Sequence, residues 1–516
     1  MKYALMLSAA LLLTTQAQPV LAQGPIDLVK QSIEAIGGAS ALAGLKTMVL
    51  KGDAKHWEPG QSNSVNGESR FLGDSTVTIS VDYTNPLRVR YDWDRDMKFP
   101  AVEKVKYSEI RYPTYGAVID EKGTATPISG IRMAANIREG ARVSPALLQR
   151  AANSPQNVTA IADQKLGNQT LPAVQYTDGP NKFIIIFDRT THLPAAVRTL
   201  DQDNIWGDQN YDAILSDWKT VGGIKIAHTR SYKLGDLETQ RITFKEVSVN
   251  APLAADTFAI PDAVKTAGKP AATGNVPYQW VIRRIFLARF TDSDAIYFPP
   301  NGSFKLVELS PNVQMVQGGG ANNLIVNQKD GIVVIDAPTD EGQSAQVIKL
   351  AKAKYPGKPI KTLVLTHHHM DHTGGMRTFA AEGATVIVPA PDKAYFENVI
   401  KASHAAHPDA QQKAQKPANV QDVKDTLSLK DDAAEINLYN IPNPHVEGML
   451  LVHVVKDNVV WVTDLVSPRG GPIGRNPGTV AVGDALRKHN ITNATLAGGH
   501  GTTAKQAEAA AALATN

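Results

Sequence analysis

The chain has 516 residues, far more than one typical domain, and 43% of them are hydrophobic, which is ample for more than one core. Its formal net charge is only +3 and its Lys and Arg residues are dispersed, so neither a nucleic acid nor a membrane surface is indicated as a partner. Cysteine is absent, which excludes disulfides, a thiolate metal ligand and a cysteine-borne lipid anchor.

At the amino terminus Lys2 precedes the apolar stretch 4–13, and Val20-Leu21-Ala22 offers small residues for cleavage before Gln23. This pattern predicts a secretory signal over 1–22. The stretch is too short to span a bilayer, so no stable membrane anchor is expected; in a diderm bacterium the mature protein is periplasmic. Residues 23–262 read as a β-rich α+β domain with an antiparallel sheet. Residues 27–36 pattern as a short amphipathic helix ended by Gly37-Gly38. Beyond it Val77, Ile79, Val81 and Tyr83 alternate with Thr76, Thr78, Ser80 and Asp82. After the turn Thr84-Asn85-Pro86, Leu87, Val89, Tyr91 and Trp93 alternate with Arg88, Arg90, Asp92 and Asp94. These runs predict an antiparallel pair with one wet face. Further strands are predicted over 183–187 and 241–249. The segments Val221-Gly222-Gly223-Ile224-Lys225-Ile226 and Val247-Ser248-Val249-Asn250 through Phe258-Ala259-Ile260-Pro261 loosely resemble periplasmic lipoprotein-carrier-like β domains. The inward residues read as simple core, and the domain as a scaffold or oligomerisation unit.

Residues 263–302 are expected to join the two parts. The run 263–277 is rich in Ala, Gly, Lys and Pro and reads as a linker. Residues 279–290 carry Trp280, Ile282, Ile285, Phe286 and Leu287 beside Arg283, Arg284 and Arg289, the pattern of a helix packed between domains. A second domain, 303–516, opens with strands predicted over 306–309, 313–316 and 324–327 around Gly318-Gly319-Gly320. No repeat of solenoid period is present.

The most informative segment is Thr366-His367-His368-His369-Met370-Asp371-His372, backed by Gly374-Gly375. His367, His369, Asp371 and His372 cannot all lie on one face of a helix or strand, so a turn must splay them around more than one metal ion. Residues 361–365 are predicted as a buried strand, 376–382 as a helix with Gly383 just past its end, and 384–388 as another strand. The turn therefore lies at the C-terminal end of a strand, where open α/β sheets place their ligand sites.

This segment resembles the His-x-His-x-Asp-His signature of the metallo-β-lactamase superfamily. Four further positions match that family's motifs in order: Asp336 after 331–335, His445 in Pro442-Asn443-Pro444-His445-Val446-Glu447-Gly448, Asp464 after 459–462, and His500 in Ala497-Gly498-Gly499-His500-Gly501. The resemblance implies an αββα sandwich: two sheets face to face, helices outside, metals at one edge. It also implies two Zn²⁺ ions, with His367, His369 and His445 on one, Asp371, His372 and His500 on the other, and Asp464 bridging them. Asp336 would support the turn by hydrogen bonding rather than ligation. The expected activity is that of a zinc-dependent hydrolase acting on a small molecule. A hydroxide held between two cations attacks an ester, lactone, amide or related bond, with Asp371 orienting the nucleophile and carrying its proton.

Departures from the family's subgroups bear on the substrate. Without cysteine the chain lacks the thiolate ligand of the best-known β-lactamase subgroup, and Asp464 sets it apart from another that has no bridging carboxylate. Leu465 follows Asp464 and no tyrosine stands beside it, so a lactone preference has no support. A β-lactamase and a mononuclear-iron enzyme similar to the persulfide dioxygenases stay open as alternatives. The polar segment 392–420 is expected to act as a lid over the substrate, with His404 and His407 read as surface histidines. Arg469 and Arg475 follow Asp464 in a Gly/Pro-rich loop; they either pair an anionic group of the substrate or form ordinary loop salt bridges. Alanine-rich 504–513 is predicted as a closing helix.

Overall fold

A computed structural model describes residues 24–514 apart from 85, 274–275 and 288–302. The expected signal sequence, Asn85 of the predicted turn, and Arg289 with the end of the 279–290 stretch lie outside the described residues.

The front half is built on one 13-stranded antiparallel sheet. Thr47–Glu58 and Leu237–Val249 pair at its middle. From Thr47–Glu58 the strands run outward in chain order to Ala125–Pro127, and from Leu237–Val249 they run back through Ile224–Leu234 and Gly207–Val221 to Val158–Ala160. The predicted pair is Arg70–Asp82 with Arg88–Met97, in the register Val77↔Trp93, Ile79↔Tyr91, Val81↔Val89. Its second face is less wet than the alternation suggested: Ser80 and Asp82 are buried, Asp82 beneath its bonds from Thr84 and its ion pair with Arg88. Leu87, expected inside, precedes the strand and is exposed. The helices Pro25–Ile36, Gly130–Arg142, Ala146–Asn153 and Tyr278–Leu287 contribute Val29, Met133, Leu148 and Trp280 to the same core as the sheet residues Leu50, Ile79 and Phe244.

The C-terminal half is the expected sandwich. A seven-stranded sheet and a six-stranded sheet enclose Leu324, Val333, Val364, Ile436, Val452 and Trp461, all fully buried or nearly so. Burying each such side chain contributes about 1.5–3 kcal/mol, which is why these runs carry no polar alternation. In the first sheet Ile332–Ile335, Ile360–Val364, Thr385–Pro389 and Val420–Val423 are mutually parallel, so the C-terminal ends of the first two open at one edge.

Three expectations change. The 263–277 run is not all linker: the helix Asp262–Ala267 packs Val264 against Ile110 and Phe258, and Ala272 donates to the Gly130 carbonyl. The closing helix is short, Ala510–Leu513, because Thr503–Lys505 pairs as a strand with Thr495–Gly498; sheet completion overrides alanine's helical preference. His404 is buried rather than on the surface, between Gln202 of the front sheet and the Arg377–Asp409 ion pair.

The helix Tyr278–Leu287 does pack between the halves. Arg283 and Arg284 both pair with the fully buried Glu58 at the end of a front strand, Arg283 also reaches Asp203 at 2.7 Å, and Arg284 touches the sulfur of Met370 in the His-rich turn. Charges this deep are tolerable because each has an opposite partner.

Candidate metal centre

Every candidate ligand sits just beyond a strand end or in the loop beside one. Ile332–Ile335 delivers Asp336 and Ile360–Val364 delivers the His-rich turn. Asp336, at φ 63°, accepts from the Thr366 backbone N–H at 2.9 Å, from the Thr366 hydroxyl, and from Trp461 Nε1 at 3.1 Å, and it also bonds His372 Nδ1 at 3.0 Å. This wholly buried carboxylate is thus the post to which the turn is tied. Gly374 and Gly375 are required by close approach: a Cβ on the first would lie 2.0 Å from the Thr339 carbonyl oxygen, and on the second 1.9 Å from Ser344 Oγ. His445 is held by an Asx turn in which its N–H and that of Val446 donate to Asn443 Oδ1. Asp464 follows Val459–Thr463, and His500 follows Thr495–Gly498.

Seven side chains converge as two groups sharing one carboxylate. His367, His369, His445 and Asp464 offer donor atoms within 4.8 Å of one another, and so do Asp371, His372, Asp464 and His500. Asp464 divides its oxygens between them: Oδ2 lies 3.4 Å from His445 Nε2 and 3.7 Å from His367 Nε2, while Oδ1 lies 2.8 Å from His372 Nε2 and 3.5 Å from His500 Nε2. Asp371 turns Oδ2 inward, 3.3 Å from His500 Nε2.

The outer ring nitrogens of His367, His369 and His372 are engaged by the surrounding protein, and the inner donor atoms face one another. His367 Nδ1 meets Thr366 Oγ1 at 3.0 Å, whereas its buried Nε2 has no hydrogen-bond partner. His369 Nε2 lies 2.9 Å from the Ser62 carbonyl oxygen, leaving Nδ1 to face His445 Nε2 at 3.0 Å. His372 Nε2 and His500 Nε2 face each other at 3.4 Å. Ring nitrogens aimed at one point, with the far sides of His367, His369 and His372 fixed by hydrogen bonds, are the arrangement of ligated imidazoles.

The protonation states agree. Burial, reinforced by the neighbouring imidazoles, keeps His367 and His369 well below the usual histidine range and therefore neutral. Burial opposes the charge on Asp371 and Asp464, yet the facing histidines hold both carboxyls below their ordinary value. Burial would likewise lower His372 and His500, but the carboxylates around them raise both. The cluster is short of positive charge, and a divalent cation in place of those protons would answer it. Imidazole and carboxylate donors without sulfur suit a divalent transition ion such as zinc, iron or nickel.

Beside the cluster lies an open cavity of about 680 Å³ lined by His445, Asp464, Ile473 and Asn476 together with Arg469 and Arg475. Arg475 also donates to the Ala514 carbonyl at 2.6 Å, and Arg469 is exposed. His404 and His407 of the 392–420 segment are not part of either donor group.

Two contributors were not visible beforehand. Gln61 and Ser62, from the short 3₁₀ turn Pro59–Gln61 and the residue after it in the front domain, touch the His-rich turn directly. His368 points the same way, its Nε2 3.0 Å from the Ser62 carbonyl, and contributes to neither donor group.

Residues 316–513 match the family model of the metallo-beta-lactamase superfamily. Among curated relatives, a metallo-beta-lactamase type 2 of Bacillus cereus is 30% identical over 63 residues, 12% of this chain and 24% of the relative. An alkyl/aryl-sulfatase of Saccharomyces cerevisiae is 29% identical over 83 residues, 16% of this chain and 13% of the relative. A 2,4-dinitroanisole O-demethylase subunit alpha of a Nocardioides species is 27% identical over 75 residues, 14% of this chain and 23% of the relative. The chain thus spans 13% to 24% of the length of these relatives. Solved structures resembling it include a metallo-beta-lactamase from Pontibacter korlensis, at 17% identity and a TM-score of 0.33, covering 41% of this chain and 97% of that one. A mono-zinc metallo-beta-lactamase from Pseudomonas aeruginosa is 19% identical with a TM-score of 0.31, covering 41% and 93%.

Proposed function

Residues 316–513 belong to the metallo-β-lactamase superfamily, and from that premise we propose that the protein is a dinuclear zinc hydrolase of small ester-like molecules. The observation that carries the reading is the sharing of Asp464 between two complete donor groups. His367, His369 and His445 would hold one ion, Asp371, His372 and His500 the other, with Asp464 between them. Bound there, two zinc ions supply Lewis acidity and a water acidified to a pKa of about 7. The protein's own share is positional and electrostatic. Asp371, kept ionised and with Oδ2 turned inward, is placed to orient a water and accept its proton. Asp336 keeps His372 and the whole turn in register. No serine or cysteine nucleophile is required.

The cavity beside the cluster supports a substrate carrying an anionic group, since Arg469 and Arg475 line it. The relatives' names span a β-lactamase, a sulfatase and a demethylase subunit. The bond cleaved is therefore a matter for assay. We expect untagged protein to contain zinc, to lose turnover on chelation and to regain it with Zn²⁺, across a panel of carboxylic esters, lactones, amides, aryl sulfates, phosphodiesters and β-lactams. Rapid hydrolysis of a chromogenic cephalosporin would turn the reading to a β-lactamase. Bound iron with oxygen consumption would replace it with a redox enzyme. Export by the 1–22 segment belongs to the same proposal, with mature protein beginning at Gln23 as its expected mass-spectrometric signature. Among the described residues no helix is long and apolar enough to cross a membrane.

A further inference from the structure

The front sheet sends one short turn into the metal centre. Glu58, at the end of Thr47–Glu58, accepts from the Gly60 N–H at 2.8 Å and is itself clamped by Arg283 and Arg284. The turn is pressed against the ligand-bearing segment: a Cβ on Gly60 would lie 2.6 Å from Met370 Cγ. From this fixed base Gln61 Nε2 donates to Asp371 Oδ1 at 2.7 Å, and Gln61 is almost wholly buried. The Ser62 carbonyl faces His369 Nε2 at 2.9 Å. The Asn63 carbonyl accepts from the Glu447 N–H at 2.9 Å, two residues beyond His445. One five-residue stretch, 59–63, therefore reaches three candidate ligands or their segments.

Each bond falls on the side of the ligand that faces away from the cluster. Gln61 takes Oδ1 of Asp371 and leaves Oδ2 inward; Ser62 takes Nε2 of His369 and leaves Nδ1 inward. These are the contacts that select a histidine's tautomer and lock a carboxylate's rotation before an ion arrives. They come from a different domain, more than 300 positions earlier in the chain.

We propose that the 59–63 turn of the front domain is a working part of the metal centre, with Gln61 and the Ser62 carbonyl as positioning groups for Asp371 and His369, so that tight metal binding requires the front sheet to be docked. This rests on the metal-centre reading above. Linkage makes the coupling reciprocal: ions that bind best to the docked arrangement also hold the turn in place.

The test uses the full chain and Zn²⁺ alone. Gln61→Leu removes the donor while keeping an apolar side chain of similar reach. Zinc affinity, measured by competition with a chromogenic chelator, is expected to fall about 10- to 100-fold at one of the two sites. The cobalt-substituted variant is expected to show a changed visible spectrum. In the wild type, amide hydrogen exchange over 59–63 is expected to slow on adding Zn²⁺, a readout that holds even if the variant folds poorly. Wild-type affinity in Gln61→Leu, or exchange over 59–63 indifferent to Zn²⁺, overturns the inference while leaving the zinc-hydrolase reading intact. A wild type that binds no zinc overturns both.

Discussion

The front sheet and the open edge of the sandwich bury charge in opposite ways. In the front sheet, deep carboxylates meet guanidiniums: Arg138 pairs with Asp201 at 2.6 Å, Arg198 with Asp212 at 2.7 Å, and Arg132 with Glu109 at 2.5 Å. At the sandwich edge, imidazoles and carboxylates crowd together with ring nitrogens pointing at ring nitrogens and no guanidinium or ammonium among them. A paired buried charge is neutral architecture, costly to break but inert. A convergent set lacking its counter-charge is a binding site, held ready by the fold around it.

That contrast says where damage should appear as lost function and where as lost stability. The largest effect is expected from His369→Ala or Asp371→Ala, which should cut turnover by about 10³-fold or more and lower the zinc content, while the front sheet's circular dichroism and melting persist. Glu58→Ala should do the reverse first. It leaves Arg284 without its carboxylate in a buried site and should cost about 3–5 kcal/mol in chemical denaturation. If turnover falls in step with docking in that variant, the two halves are coupled as argued above.

Asp392 is a buried carboxyl in the C-terminal half with neither oxygen hydrogen-bonded. Burial, with a further push from Glu447, raises it to about 7. Unfolded chain ionises this group near its ordinary value, so its contribution to stability falls as pH rises from about 4 to about 7. Asp392→Asn should therefore gain about 3 kcal/mol on the wild type between pH 5 and pH 8, read as the difference between two denaturation series. An unchanged difference across that range would show that the carboxyl finds a partner. The smallest effect belongs to local chemistry: Asp340 caps the helix Glu341–Lys354 by accepting from the Gln343 N–H at 2.9 Å, and Asp340→Ala should cost about 1 kcal/mol of stability.

The convergence of the donor groups was legible in the sequence because its core is local. Four potential ligands in six residues, backed by two glycines, declare a turn; Asp464 follows an apolar strand whose end is easily placed, and His445 and His500 were marked by the motifs around them. In the front sheet the alternating runs 76–83 and 87–93 and the strands 183–187 and 241–249 were legible for the same reason, whereas Thr47–Glu58 and Gly207–Val221 were not anticipated. What escaped were consequences of tertiary packing. Gln61 lies in an ordinary Pro-Gly-Gln turn, and nothing in its neighbourhood hints that it meets a residue 310 positions away. His404 looked like a surface residue because its cover comes from the front sheet. The 504–513 run carries a helical composition, but the first of its residues complete a sheet edge. In each case the deciding partner is remote, and periodicity carries no record of it.

Two shared donor groups should hold two ions. Elemental analysis of untagged full-length protein, freed of loosely held ions by dialysis, is expected to find two zinc ions per chain, with His369→Ala and Asp464→Ala each holding fewer. Protein that retains no transition ion, or variants that keep the wild-type complement, would contradict it.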